Sequence, residues 1–199
     1  MSILVAYKKG DTVFMGTDTR VCRDGVVKNE LCKSNHKIQK VESGILVGVS
    51  GDLHVRQNIF AYSEIFTLNK RGELTRAHIV KEIIPKLIEM LDGEELLVKE
   101  KDTFAYMPCC ILIAYKDKLY EICSSFMVIA YEDFQAVGSK TKITSFAQAT
   151  LFNTKDGDDV KQRIIKALEV VSKHTISVGA PYLLIDTKDQ RYKLVGGNV

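Results

Sequence analysis

The chain has 199 residues, 46% of them hydrophobic and 27% charged, with a net charge of +3. That is enough apolar material for one sizeable core with no composition shift to divide it, so a single domain over 1–199 is expected. No run approaches the roughly 20 uninterrupted apolar residues of a spanning helix, no basic-then-apolar leader opens the chain, and basic residues interleave with acidic ones, so the expectation is a cytoplasmic protein with neither membrane nor nucleic acid as partner.

Ile3 to Tyr7 are apolar and rich in strand formers, Lys8-Lys9-Gly10-Asp11 is turn chemistry, and Thr12 to Thr17 returns to strand-like residues. This predicts a hairpin. A turn centred near Lys9 and Gly10 would set Ser2 opposite Thr17 or Asp18, so the chain start and Asp18 should be neighbours. An irregular stretch with Asp24-Gly25 follows, then two strand-like runs, His36 to Glu42 and Ile45 to Ser50, which could extend the hairpin to a four-stranded sheet.

After Gly51-Asp52, apolar residues at Val55, Ile59, Tyr62 and Phe66 recur at helical spacing. A second helix is predicted from about Thr75, with Ile79, Ile83, Leu87 and Met90 on one face and a kink at Pro85. Strands resume from Cys109 to Tyr131 around a Lys116-Asp117-Lys118 turn, and Phe134 to Val137 adds a short one. Two more helical runs carry Ile143, Phe146, Ala147 and Leu151, then Val160, Ile164, Leu168 and Val171. A hairpin of Tyr182 to Asp186 and Arg191 to Val195 closes the chain. Segregated blocks of strands and helices predict α+β antiparallel sheets with helices outside, in four layers αββα.

The candidate chemistry lies at the start. If Met1 is removed, Ser2 carries a hydroxyl and a free α-amine on one residue, and an amine titrating near pH 8 can serve as base to its own hydroxyl. Small second residues such as serine permit that removal. A nearby lysine would favour the deprotonated hydroxyl and disfavour a charged amine, and an aspartate would fix the lysine. Asp18 is already placed by the hairpin. The five cysteines (Cys22, Cys32, Cys109, Cys110, Cys123) show neither paired CxxC spacing nor a disulfide framework, and read as free thiols. His36, His54, His78 and His174 lack metal-ligand spacing. Asp156, Asp158 and Asp159 resemble part of a calcium loop without its closing glutamate, and a helix start explains them.

The segments SILVAYKKGDTVFMGTDTR, NHKIQKV, GILVGVSGD and AVGS resemble the proteasome β-subunit and HslV-like family of N-terminal-nucleophile hydrolases. With Ser2 counted as first mature residue, Asp18 falls on the family's aspartate. The family's catalytic lysine matches Lys37 after a somewhat longer loop, with Lys33 and Lys40 as competitors. Gly51 matches the glycine whose N–H serves an oxyanion hole, Ser139 the serine that supports the terminal amine, and Ser177 a second serine of the proteasomal branch. Ser139 and Ser177 fit equally well as caps of a helix or turn. A surface ion pair between Asp18 and Lys37 would contribute under about 1 kcal/mol.

The sequence departs from the family in having serine where threonine is usual, and His174 where proteasomal β-subunits carry aspartate. It also lacks the helical N-terminal extension of α-subunits, so a β-like subunit is expected. The resemblance implies a threonine/serine-type endopeptidase acting on a polypeptide or amide substrate without metal or organic cofactor. It also implies a homo-oligomeric ring and an ATP-driven unfoldase as partner. Residues near Ser50 and Val49 would border the specificity pocket. A silent scaffold or ring subunit that keeps Met1, and an amidase on small molecules, are the alternatives.

Overall fold

The computed structural model describes residues 2–23, 26–29, 36–101, 103–138, 141–154 and 159–196. β1 (Ile3–Lys9) and β2 (Thr12–Asp18) form the expected hairpin, paired from Leu4 with Thr17 to Lys9 with Thr12. The register is later than expected. The loop is Gly10-Asp11, with Gly10 at φ +60, because a two-residue loop with glycine first matches the twist of the strands it joins. Ile3, not Ser2, therefore lies beside Asp18, whose Oδ1 accepts the Ile3 N–H at 3.4 Å.

The stretch expected to be irregular holds a short pair, β3 (Val21–Arg23) and β4 (Val26–Asn29). β5 (Ile38–Lys40) and β6 (Leu46–Gly51) follow. They do not extend the first hairpin into one four-stranded sheet. β10 (Phe134–Gly138) takes the free edge of β1, and β11 (Tyr182–Asp186) takes that of β2. With β12 (Lys193–Val195) beyond β11, this sheet has the order β10-β1-β2-β11-β12. β7 (Cys109–Tyr115), β8 (Lys118–Ile122) and β9 (Val128–Tyr131) complete a second antiparallel sheet of order β5-β6-β7-β8-β9.

Helices cover both outer faces. α1 (Leu53–Ala61) is capped by Asp52, whose side chain accepts the His54 and Val55 N–H groups. α2 (Arg76–His78) passes through a π-helical turn, Ile79–Ile83, into α3 (Ile84–Gly93). The kink expected at Pro85 is this turn: proline in the first turn of α3 has no N–H to give and its ring crowds the carbonyl four residues back, so the wider turn precedes it. α4 (Thr141–Asn153) and α5 (Val160–His174) lie on the other side.

Three apolar clusters define the four layers. One, including Val47, Val49, Ile59 and Leu87, joins the second sheet to α1–α3; another, including Ile3, Val5, Ile164 and Leu168, joins the first sheet to α4 and α5; the third, including Leu4, Met15, Leu46 and Leu112, lies between the sheets. Alternate residues of β1 thus enter different clusters. Both faces of both sheets are covered, and for that reason ILVA, CCILIA and YLLI read as unbroken apolar runs, where a half-solvated antiparallel strand would alternate. Gly16 lets α5 close on β2: a Cβ there would stand 2.3 Å from Ile164 Cγ2. Among the described residues no helix is long and apolar enough to cross a membrane.

Candidate functional site

The first sheet brings the start of β1 and the end of β2 together, and the second sheet supplies the start of β5 and the end of β6. Ser2 and Asp18 come from the first, Lys37 and Gly51 from the second. Lys37 Nζ donates to Asp18 Oδ2 at 2.7 Å, with the lysine 3% and the aspartate 0% exposed. The same carboxylate accepts backbone N–H groups from Ile3 and, at 3.2 Å, from Arg20. Burial pushes the Lys37 ammonium down from its ordinary range, against the pull of Asp18, and the nearby Arg56 charge adds to the lowering. Burial likewise pushes the Asp18 carboxyl up, opposed by Lys37 and the two N–H donors. Of the competing lysines, Lys40 is exposed and its N–H meets the Tyr192 hydroxyl, while Lys33 lies outside the described residues.

Ser2 is 2% exposed and borders a cleft of ≈ 540 Å³ that Lys37, Gly51 and Arg56 also line. Its Oγ lies 3.0 Å from Ser50 Oγ, and Ser50 Oγ donates to the Ser2 carbonyl at 3.1 Å. Ser50 has one hydroxyl proton, committed to that carbonyl. The Ser2 hydroxyl is therefore the donor in the Oγ pair, and its rotamer is fixed by a partner from the opposite sheet. Strand alternation carries the signal for Ser50: Leu46, Gly48 and Ser50 share the face of β6 turned to β1. By the same rule Val49 points the other way, into the cluster under α1, and does not line the cleft.

Gly51 has φ +147, and a Cβ there would stand 2.5 Å from the Pro108 carbonyl oxygen and 2.6 Å from Cys109 Cα. Both obstacles are backbone, so glycine alone fits the turn from β6 into α1. The Asp52 N–H is spent on the Pro108 carbonyl at 3.2 Å.

Gly138, at the end of β10, pairs with Ile3, and a Cβ on it would meet the Ser2 carbonyl oxygen at 3.2 Å. Ser139 and Met1 lie outside the described residues, as do Cys32, Asp156 and Asp158. Ser177 is buried, and its N–H donates to Thr175 Oγ1, the geometry of a turn. Its loop is held by the Arg20 guanidinium, which donates to the Ile176 carbonyl at 3.1 Å and lies where a Gly179 Cβ would be. His174 is exposed and stacks on Phe146, with ring centroids 4.4 Å apart. Among the described residues no group of three His, Cys, Asp or Glu side chains could hold a metal ion.

Residues 2–180 match the family described as "Proteasome subunit". No curated protein matches the chain. Among solved structures, the BPH protein of Thiobacillus denitrificans superposes with a TM-score of 0.75 at 15% identity, covering 92% of this chain and 96% of BPH. BPH in complex with epoxomicin gives 0.70 at 14% identity, covering 92% and 97%. HslV from Trypanosoma brucei gives 0.64 at 17% identity, covering 92% and 98%. At these identities the superpositions establish the N-terminal-nucleophile αββα fold, and the match over 2–180 establishes the family. The chain belongs to the proteasome subunit family.

Proposed function

We propose that this chain is a serine-type N-terminal-nucleophile endopeptidase, with Ser2 as nucleophile once Met1 has been removed. The observation that carries the reading is the convergence of Ser2, the buried Lys37 and Asp18 pair and the glycine-only turn at Gly51 on one cleft. In the reaction the Ser2 Oγ attacks the substrate carbonyl while its proton passes to the α-amine, through a water. The oxyanion is stabilised by the Gly51 N–H. The amine then returns the proton to the leaving nitrogen as the C–N bond breaks, which leaves an ester on Ser2; water hydrolyses the ester with the amine again as base. Lys37 holds positive charge beside the forming alkoxide and disfavours a charged amine, and Asp18 fixes Lys37. Ser139 is proposed to support the terminal amine, the role the family gives its position, and Ser177, which matches a second serine of the proteasomal branch, is proposed to assist catalysis. Family membership supports a polypeptide or amide substrate, a homo-oligomeric ring, a cytoplasmic setting and an ATP-driven unfoldase that feeds the ring.

The test is the intact mass of the purified protein before and after a peptide-backbone inhibitor reactive toward serine and threonine. Loss of one methionine and gain of one adduct, abolished in Ser2→Ala, is the expected result. Retention of Met1 with no adduct would overturn the reading and leave a ring subunit without chemistry.

A further inference from the structure

Ser50, Cys110 and Cys123 stand in one row across β6, β7 and the end of β8. Ser50 pairs with Cys110, and the register of β7 on β8, Ile111 with Ile122, puts Cys110 opposite Cys123 one step further on. Residues opposite each other across a ladder share a face. Here it is the face turned to the first sheet. Cys110 packs against the cluster between the sheets, and Cys123 Sγ donates at 3.5 Å to Oε1 of Glu121, whose carboxylate also receives Gln135 of β10. Cys109 points the other way, into the cluster under α1–α3.

The backbone sets this pair at the closer of the two antiparallel spacings. Cys123 gives its N–H to the Met127 carbonyl at 2.9 Å, toward β9 and away from β7. The Asp52 N–H meets the Pro108 carbonyl, so Ser50 and Cys110, two steps along that ladder, are again a bonded pair, and Cys110 turns its backbone groups to β6. Cys110 and Cys123 are therefore a non-hydrogen-bonded pair, with Cα atoms about 4.5 Å apart. That lies inside the range of about 4.4–6.8 Å that a disulfide spans.

Both thiols are free and half-buried, within reach of a small oxidant. Burial, with Glu121 second, pushes the Cys110 thiol up against the Ser124 N–H, and the same two causes push Cys123 up to about 12. A dithiol that gains no stability as thiolate exchanges slowly and forms a disulfide that resists reduction. When Cys123 gives up its S–H, the Glu121 carboxylate still holds the Tyr131 hydroxyl at 2.8 Å and the Gln135 amide at 2.6 Å.

We infer that Cys110 and Cys123 are a redox-sensitive dithiol that a peroxide closes into a cross-strand disulfide, tying β7 to β8 beside Ser50. The peroxide converts one thiol to a sulfenic acid as its O–O bond breaks and one water leaves. The second sulfur then attacks the first, the S–O bond breaks, and a second water leaves with the remaining thiol proton. Two electrons pass from the two sulfurs to the peroxide.

The test adds hydrogen peroxide to the reduced protein until the exposed Met127 is fully sulfoxide, then unfolds the chain, blocks the remaining thiols and digests it with trypsin. The expected product, in single chains on a non-reducing gel, joins the peptide of residues 102–116 to that of residues 119–140, and dithiothreitol should release it. Cys110→Ser and Cys123→Ser should each abolish the link, and Cys109→Ser should leave it. No link at the end point, cysteines carried on to sulfinic acid without one, or a link that survives Cys110→Ser would each overturn the inference. None of these readings depends on Ser2, so failure here and failure of the peptidase proposal are told apart.

Discussion

Breaking the Lys37 and Asp18 pair from either side should be costly, and the two variants should respond to pH in opposite directions. The pair is 2.7 Å apart with both partners nearly sealed from solvent, so the weak contribution of a surface ion pair does not apply. Removing one partner of a buried pair leaves the other charge uncompensated, at about 3–5 kcal/mol. For a chain of this size that is a fall in Tm of about 6–20 °C, at about 2–4 °C per kcal/mol. In Asp18→Asn, Lys37 loses the partner that opposes its burial, and its folded pKa falls further below the unfolded value of about 10.4. Between those two values the unfolded chain binds more protons, so stability should rise with pH through that window. In Lys37→Met, Asp18 loses its main opposing charge, and its folded pKa rises further above the unfolded value of about 3.9. There the folded chain binds more protons, and the variant's stability should fall as pH rises through the window. Urea unfolding of both variants at fixed protein concentration from pH 5 to 9, followed by circular dichroism, measures both slopes. Losses below 1 kcal/mol, or slopes of the same sign, would refute the buried-pair reasoning.

Ser50→Ala removes the donor to the Ser2 carbonyl and the acceptor of its hydroxyl. Stability should fall by about 1 kcal/mol, and adduct formation on Ser2 should slow by about 10-fold as the Oγ loses its fixed rotamer, readable by intact mass against time. Gly51→Ala drives a Cβ into the Pro108 carbonyl and Cys109 backbone at a positive φ, and should cost about 2–4 kcal/mol in a thermal melt. Burial, with Glu121 adding to it, pushes the Cys123 thiol up to about 12, and burial also raises Cys109. At pH 8 a thiol of that pKa is thiolate in about one molecule in ten thousand, against about one in four for an ordinary cysteine. Even with its greater intrinsic nucleophilicity, Cys123 should alkylate with iodoacetamide about 40- to 100-fold more slowly than free cysteine, which a peptide-mapped time course would show.

The fold was legible where the physics is local. Apolar spacing located the helices through Ile59, Leu87, Leu151 and Ile164, and turn residues located most strands. What the sequence could not fix was which strands pair. β1 and β2 followed by β5 and β6 look like one meander, yet the edges of β1 and β2 are taken by β10 and β11, more than a hundred residues away. The first hairpin's register depends on which residue takes the positive φ: Gly10 takes it as the first of the two loop residues Gly10-Asp11, where a loop centred on Lys9 and Gly10 would put Lys9 first. β3 and β4 were missed because each is too short to show a period. At the site, Asp18 and Lys37 were legible from family motifs, while Ser50 was not, since its part depends on how two separate sheets are stacked.

That stacking makes the site's geometry a property of the inter-sheet core. Ser2 stands just before β1 of one sheet, and Ser50 and Gly51 end β6 of the other, with 48 positions between Ser2 and Ser50 along the chain. Ser2 is held near the glycine turn by contacts between the sheets, its Oγ 3.0 Å from Ser50 Oγ. Their separation is set by Leu4, Met15 and Leu46, which fill the space between sheets, and by Gly48, where a Cβ would already stand 3.0 Å from Met15 Cε and 3.1 Å from Leu4 Cδ1. Close-packed interiors transmit small displacements instead of absorbing them. The Lys37 and Asp18 contact and the Ser2 and Ser50 contact both cross the same gap, one at the level of each strand's end. With the buried Gln135, whose Nε2 donates from β10 to Glu121 on β8 at 2.6 Å, these polar ties fix the slide of one sheet on the other, where apolar packing alone would tolerate neighbouring registers. The residues proposed for catalysis therefore also align the sheets that carry them, and a loss of activity on substituting either tie must be read beside its effect on stability.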